Sequence, residues 1–74
     1  MIRVKIIMAT GTIFEGEAKQ SVELPSVLGR MQVLPDHAPL MAALDKGVVK
    51  VDNQEFPIND GIAQVENNEV TVLC

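Results

Sequence analysis

Only two of the 74 residues are aromatic, both Phe, and the chain has neither Trp nor Tyr. Its core must therefore be assembled from Val, Ile, Leu, Met and Ala, which fills a thin two-layer domain but walls no deep pocket for catalytic groups. Cysteine occurs once, as Cys74, so no intramolecular disulfide can form. A chain this small without such a staple reads as cytosolic. Histidine also occurs once, as His37, and one His with one remote Cys is no metal-ligand set. Basic residues number six against ten acidic, a net charge of -4, and they neither cluster nor alternate with aromatics. That pattern disfavours nucleic-acid binding. Long apolar runs are missing too. The opening "MIRVKIIMATG" alternates apolar residues with charge and falls short of a signal peptide or membrane span, so no direct membrane insertion is expected. The glycines are scattered, with no phosphate-cradling loop, and no cofactor is expected.

What the chain does have is short-period apolar patterning; 47% of its residues are hydrophobic. Ile2, Val4, Ile6 and Met8 alternate with Arg3 and Lys5, the mark of a strand with one buried face. Thr12 to Glu15 begins a second strand, which Gly16 interrupts as a bulge or bend would. Val22 and Leu24 alternate in a strand that Pro25 stops, and Met31, Val33 and Leu34 make a short strand ended by Pro35. "GVVKV" and "QEFPI" flank Asp52-Asn53, and Pro57 assigns the latter to a sheet edge, where a missing N–H costs no ladder bond. "IAQVE" and "EVTVLC" flank Asn67-Asn68, a two-residue hairpin turn. The stretch "PLMAAL" fits a helical turn no worse than a strand. Strands at this spacing predict an all-β fold, a small β-sandwich or flattened barrel of short antiparallel strands. Residues 1–74 read as one such domain, part of whose apolar surface a partner would finish.

Chemistry-bearing constellations are sparse. Ser21, Ser26, Asp36 and His37 lie in no nucleophile-elbow pattern, so no catalytic residues are assigned. Pro35 and Pro39 bracket His37 and pre-set its backbone, which suits a loop that docks in one shape. The default reading of His37 itself is a turn residue or a ring bonded to nearby backbone. "LDKG" places Lys46 in a turn. A lysine at a hairpin tip is how carrier domains present a covalently attached group, which leaves a freestanding carrier or adaptor as the rival function. A solvated turn lysine is the commoner case.

"LPDHAPLMAALDKGVVKV" resembles the central signature of the ε subunit of F-type ATP synthases, in its N-terminal β-sandwich domain. "MATGTIFEGEAKQSVELP" is similar to the opening strands of that family and "DGIAQVENNEVTVLC" to its closing hairpin, so the resemblance runs over nearly the whole chain. It departs at Asp36, where the family has glycine. It departs again at Asp60-Gly61, where two glycines are usual, and at Gly29-Arg30-Met31-Gln32, where the family's charged residue is a glutamate. The family's C-terminal helical hairpin has no counterpart in these residues. The resemblance implies a non-catalytic rotor subunit of the central stalk, peripheral on the cytoplasmic side of the membrane. Such a subunit docks the γ subunit onto the polar loops of the membrane c-ring and couples ion flow to ATP synthesis. Carried over by position, Met8, His37 and Ala42 fall at the γ interface and Arg30 at the c-ring interface. An arginine at that place predicts a ring loop with acidic or neutral polar groups opposite it.

Overall fold

The computed structural model describes residues 1–74 and consists of nine strands joined by tight turns. They are β1 (Ile2–Met8), β2 (Gly11–Ala18), β3 (Val22–Ser26), β4 (Gly29–Val33), β5 (Leu40–Leu44), β6 (Gly47–Val51), β7 (Gln54–Ile58), β8 (Gly61–Glu66) and β9 (Glu69–Leu73). The strands form one sheet in the order β2-β1-β9-β8-β5-β3-β6-β7, with β4 added to β3, and it curls so that its two halves face each other. All pairings are antiparallel except β1 with β9, which run parallel. The all-β sandwich expected from the pattern is present, with that one parallel pair inside it.

Period-two alternation explains the core. Ile2, Val4 and Ile6 of β1 are buried, as are Val70 and Val72 of β9, Ala63 and Val65 of β8, and Val22 and Leu24 of β3. Fifteen aliphatic side chains and Pro25 are buried, and no polar side chain is buried with them. The "PLMAAL" stretch resolves as strand β5, with Leu40, Ala42 and Leu44 turned toward the core and Met41 and Ala43 turned out. The two Phe are half-buried and meet each other, Phe14 on β2 and Phe56 on β7, with ring centroids 4.8 Å apart. They join the two ends of the strand order across the mouth of the curl.

Three local expectations are corrected. Gly16 does not interrupt β2: it pairs regularly with Val4, and the bulge lies at Ile13, because Ile6 pairs with Phe14 while Ile7 pairs with Thr12. Glycine serves a different need there, since a Cβ on Gly16 would sit 2.9 Å from Phe14 Cζ. Pro25 does not end β3, which continues to Ser26. One edge of β3 pairs with β4; the other pairs with β6 at Val22 and Glu23 and with β5 at Ser26. Thus β5 and β6 form one kinked path along β3, and the residue without an N–H stands opposite the kink, where its carbonyl accepts the Asp45 N–H at 2.8 Å. For the same reason Lys46 is not at a hairpin tip. It lies at the kink between strands that do not pair with each other, so the swinging-arm geometry of a carrier lysine is not formed. Pro57 does lie on an edge strand, β7, and Asn67-Asn68 does form the closing hairpin turn, with φ of 52° and 59°.

Candidate functional site

The loop containing His37 is built by its prolines. Pro35 supplies the second position of a turn whose third, Asp36, has φ of 64°, and the His37 N–H donates to the Leu34 carbonyl at 3.2 Å. This is a type II turn, which ordinarily asks for glycine at that third position. Asp36 holds the shape that glycine would give because Asn68 braces it. The Asp36 N–H donates to Asn68 Oδ1 at 2.6 Å, and Asn68 Nδ2 donates back to Asp36 Oδ1 at 3.1 Å. Asn68 also accepts the Arg3 N–H on its own carbonyl at 2.8 Å. One residue therefore joins the proline loop, the last hairpin and the first strand. His37 Nδ1 lies 2.7 Å from the Ala38 carbonyl, which can only accept, so that nitrogen carries the proton. The ring is half-buried and bonded to backbone, one of the readings offered by the sequence.

The outward faces of β1, β9, β8 and β5 form a second feature. Cross-strand register aligns Ile7, Leu73, Ile62 and Ala43 in one row, each the pairing partner of the next. Leu73, Ile62 and Ala43 are exposed, and Ile7 is half-buried. Met8, next to Ile7 at the end of β1, borders the same shallow depression as Ile7, Ile62 and Leu73, and Met41, 70% exposed, lies two residues along β5. Farther toward the Asn68 end the same face becomes charged, with Arg3 opposite Glu17 and Glu69, and Lys5 opposite Glu15. The face is thus apolar at one end and predominantly acidic at the other.

The sequence-derived residues do not gather in one place. Met8 lies at the apolar end of the face and is exposed. His37 lies at the opposite end, beside Asn68 and the start of β1, and five strand residues separate these levels by about 17 Å. Ala42 packs against the core, so its side chain does not reach the outer face; Met41 and Ala43 do. Arg30 follows the tip of the β3–β4 hairpin, and its Nε donates to Glu23 Oε1 at 3.2 Å. The acid expected opposite it on a partner is already present within the chain. Ile62 and Leu73 were legible but missed: each falls on the polar phase of its own strand, out of step with Ala63 and Val65 or Val70 and Val72. The Asp36–Asn68 brace had no sequence signal, since 32 positions separate its ends.

Electrostatically, the sharpest feature is Asp52. Its carboxyl sits below the usual carboxylate range because backbone N–H groups of Lys19 and Gln20 donate to it; burial opposes this, and the Ser21 N–H and the Lys19 charge add to the lowering. The bonds are 2.9, 2.8 and 3.3 Å. This carboxylate ties the β6–β7 turn to the β2–β3 connection. Burial raises the Cys74 thiol, with the Asp60 charge adding to it, which makes it a poor nucleophile. No group of three or more His, Cys, Asp or Glu side chains converges as a metal site, and no helix is long and apolar enough to cross a membrane. The exposed apolar row and the braced proline loop are the features of the surface that stand out.

Comparison with known proteins bears on what those surfaces meet. The family profile of the ATP synthase delta/epsilon chain β-sandwich domain matches residues 1–74. The ATP synthase epsilon chain of Synechococcus elongatus is 43% identical over 97% of this chain and 55% of its own length. The chloroplastic epsilon chain of Porphyra purpurea is 42% identical over 97% of this chain and 56% of its own. This chain therefore spans little more than half the length of such relatives. Among solved structures, a chain in the central stalk/c-ring part of the mitochondrial ATP synthase of Tetrahymena thermophila superposes with a TM-score of 0.79. It is 12% identical over 97% of this chain and 61% of that one, and shows the shared fold.

Proposed function

Since the chain belongs to the ATP synthase delta/epsilon β-sandwich family, we propose that it serves as a non-catalytic rotor element of the central stalk, holding the γ subunit to the c-ring. The observation that carries this reading is the apolar row Ile7–Leu73–Ile62–Ala43 on an otherwise polar sheet face. Exposed apolar residues aligned across four paired strands are costly to leave in water and mark a protein contact. The acidic end of the face complements a basic counterpart on γ, and Met8 and Met41 are adaptable fillers at its margin. His37 contributes through the braced proline loop at the far end. The hairpin tip before Arg30 faces the ring. A sheet curled on itself and locked in ladders deforms little, which suits an element that transmits torque from ion flow to ATP synthesis.

The test is calorimetric titration of the cognate γ subunit with this chain and with three variants. Ile62→Asp, on the outer face, is expected to weaken binding by at least about tenfold through loss of one buried aliphatic contact. His37→Glu is expected to weaken it less, and Lys46→Ala to leave it unchanged. Wild-type binding that Ile62→Asp does not disturb, or no binding at all, overturns the assignment of this face.

A further inference from the structure

The sheet ends in β2, β7 and β4, and the first two of these edges are guarded. On β7, Pro57 has no N–H to offer; β2 is bulged at Ile13 and carries Glu15 and Glu17. β4 pairs with β3 alone, in an unbroken register from Gly29 to Val33, and contains no proline. Its one charged side chain, Arg30, is already bonded to Glu23. The direction of its backbone groups follows from the far side of β3. There the Pro25 carbonyl accepts the Asp45 N–H and so points away from β4. Arg30 stands directly opposite Pro25. Opposite residues of an antiparallel pair either exchange bonds or both turn away. The N–H and C=O of Arg30 therefore point out of the sheet edge, and alternation along the strand turns those of Gln32 the same way.

Apolar side chains flank this open edge at both ends. Leu28 is 96% exposed and Leu34 is 50% exposed, and the two stand at equal distances along the chain on either side of Met31. The strand is thus complementary to itself. Laid antiparallel to a second β4 about Met31, it sets Leu28 opposite Leu34 of the second copy at both ends and Arg30 opposite Gln32. The outward backbone groups of Arg30 and Gln32 then exchange hydrogen bonds on both sides of the axis. Moving the axis to Arg30 opposes two arginines, and moving it to Gln32 sets Leu28 against Asp36, so the pattern selects Met31. We infer that two copies of the free chain pair edge to edge through β4 about Met31, extending the sheet across a closed two-fold axis. This self-matching favours a second copy over an extended segment of other sequence. The pairing covers the hairpin that the rotor reading turns to the ring, so it belongs to the chain before assembly, and it does not depend on that reading.

The experiment is sedimentation equilibrium of the purified chain, kept reduced, over a range of concentrations. A short edge pairing lies at the small end of interface sizes, so a weak dimer is expected, half-formed by about 1 mM at most. Gln32→Pro removes an outward N–H and leaves the ladder to β3 intact; it is expected to abolish the dimer while the circular dichroism of the monomer is unchanged. Leu34→Asp, also at the surface, is expected to weaken the dimer at least about tenfold. Register is read by disulfide formation in a Cys74→Ser background. Met31 would meet its own copy at a non-hydrogen-bonded position, with Cα atoms about 4.5 Å apart, which is within disulfide reach. Met31→Cys is therefore expected to oxidise to a covalent dimer, and Arg30→Cys to remain monomeric. A chain that stays monomeric at about 1 mM overturns the inference, as does a dimer that Gln32→Pro leaves undisturbed. A disulfide formed by Arg30→Cys and not by Met31→Cys overturns the register.

Discussion

Asn68 carries more of this structure than its half-buried position in a two-residue turn implies. Its own φ of 59° is one that most side chains resist, and its amide braces Asp36, whose φ of 64° is equally unfavourable. Asn68→Ala should therefore lose both the tolerated backbone and the brace, lowering stability in urea denaturation by about 2 kcal/mol. Asn68→Gly keeps the turn and should cost about half as much. A second residue-scale prediction concerns Asp52. Its folded pKa lies below the unfolded one, so the carboxylate stabilises the fold above its ordinary pKa and loses that effect as pH falls through the folded value. Denaturation midpoints measured from neutral pH down should show an acid limb beginning at about pH 4. That limb should flatten in Asp52→Asn, which keeps an acceptor oxygen but cannot titrate.

At the level of elements, the kinked β5–β6 path is the feature on which the two halves of the sheet depend. It pairs with β8 before the kink and with β7 after it, while β3 spans both parts. Gly47 stands where the path resumes, and a Cβ there would lie 2.7 Å from Pro25 Cβ. Pro25 is buried and cannot step aside. Gly47→Ala is accordingly expected to destabilise by about 1–3 kcal/mol, as overpacking does, with hydrogen exchange accelerated first along β3 and β6. Strand periodicity made most elements legible, because a half-buried strand must alternate. The errors fell at Pro25, whose carbonyl takes the Asp45 N–H at the β5–β6 kink, and at Gly16, which pairs regularly with Val4 and makes room for Phe14 of its own strand.

For the whole molecule, the curl is closed at its mouth by the only two aromatic residues it has. Phe14 and Phe56 sit on the edge strands β2 and β7, with ring planes inclined by 43°. A double-mutant cycle with Leu at each position should give a coupling of about 0.5–1.5 kcal/mol. Phe14→Leu should also leave Gly16 uncovered and raise exchange along β2. Loss of either ring should leave the proposed γ binding unchanged, since the row Ile7–Leu73–Ile62–Ala43 does not include either phenylalanine. That separation distinguishes the closing of the fold from its contacts.

The proposed docking face was legible only in part. Ile62 and Leu73 stand out of phase in their strands, and "SVLG" sets apolar residues at a turn, so exposed apolar residues had a local mark. His37 drew attention because its flanking prolines restrict the backbone wherever the chain goes. Alternation, turn residues and the proline-bracketed loop are local properties, and by themselves they determined the strand class, the closing hairpin and the resemblance to a family. Which residues of distant strands align was decided by tertiary structure alone. Register placed Ile7, Leu73, Ile62 and Ala43 in one row, turned Ala42 inward, paired Arg30 with Glu23 and joined Asp36 to Asn68. Some of these partners face each other across a hairpin, as Arg30 and Glu23 do, but those from β1 to β9, β5 to β8 and Asp36 to Asn68 join distant positions, where packing and the search for hydrogen-bond partners decide.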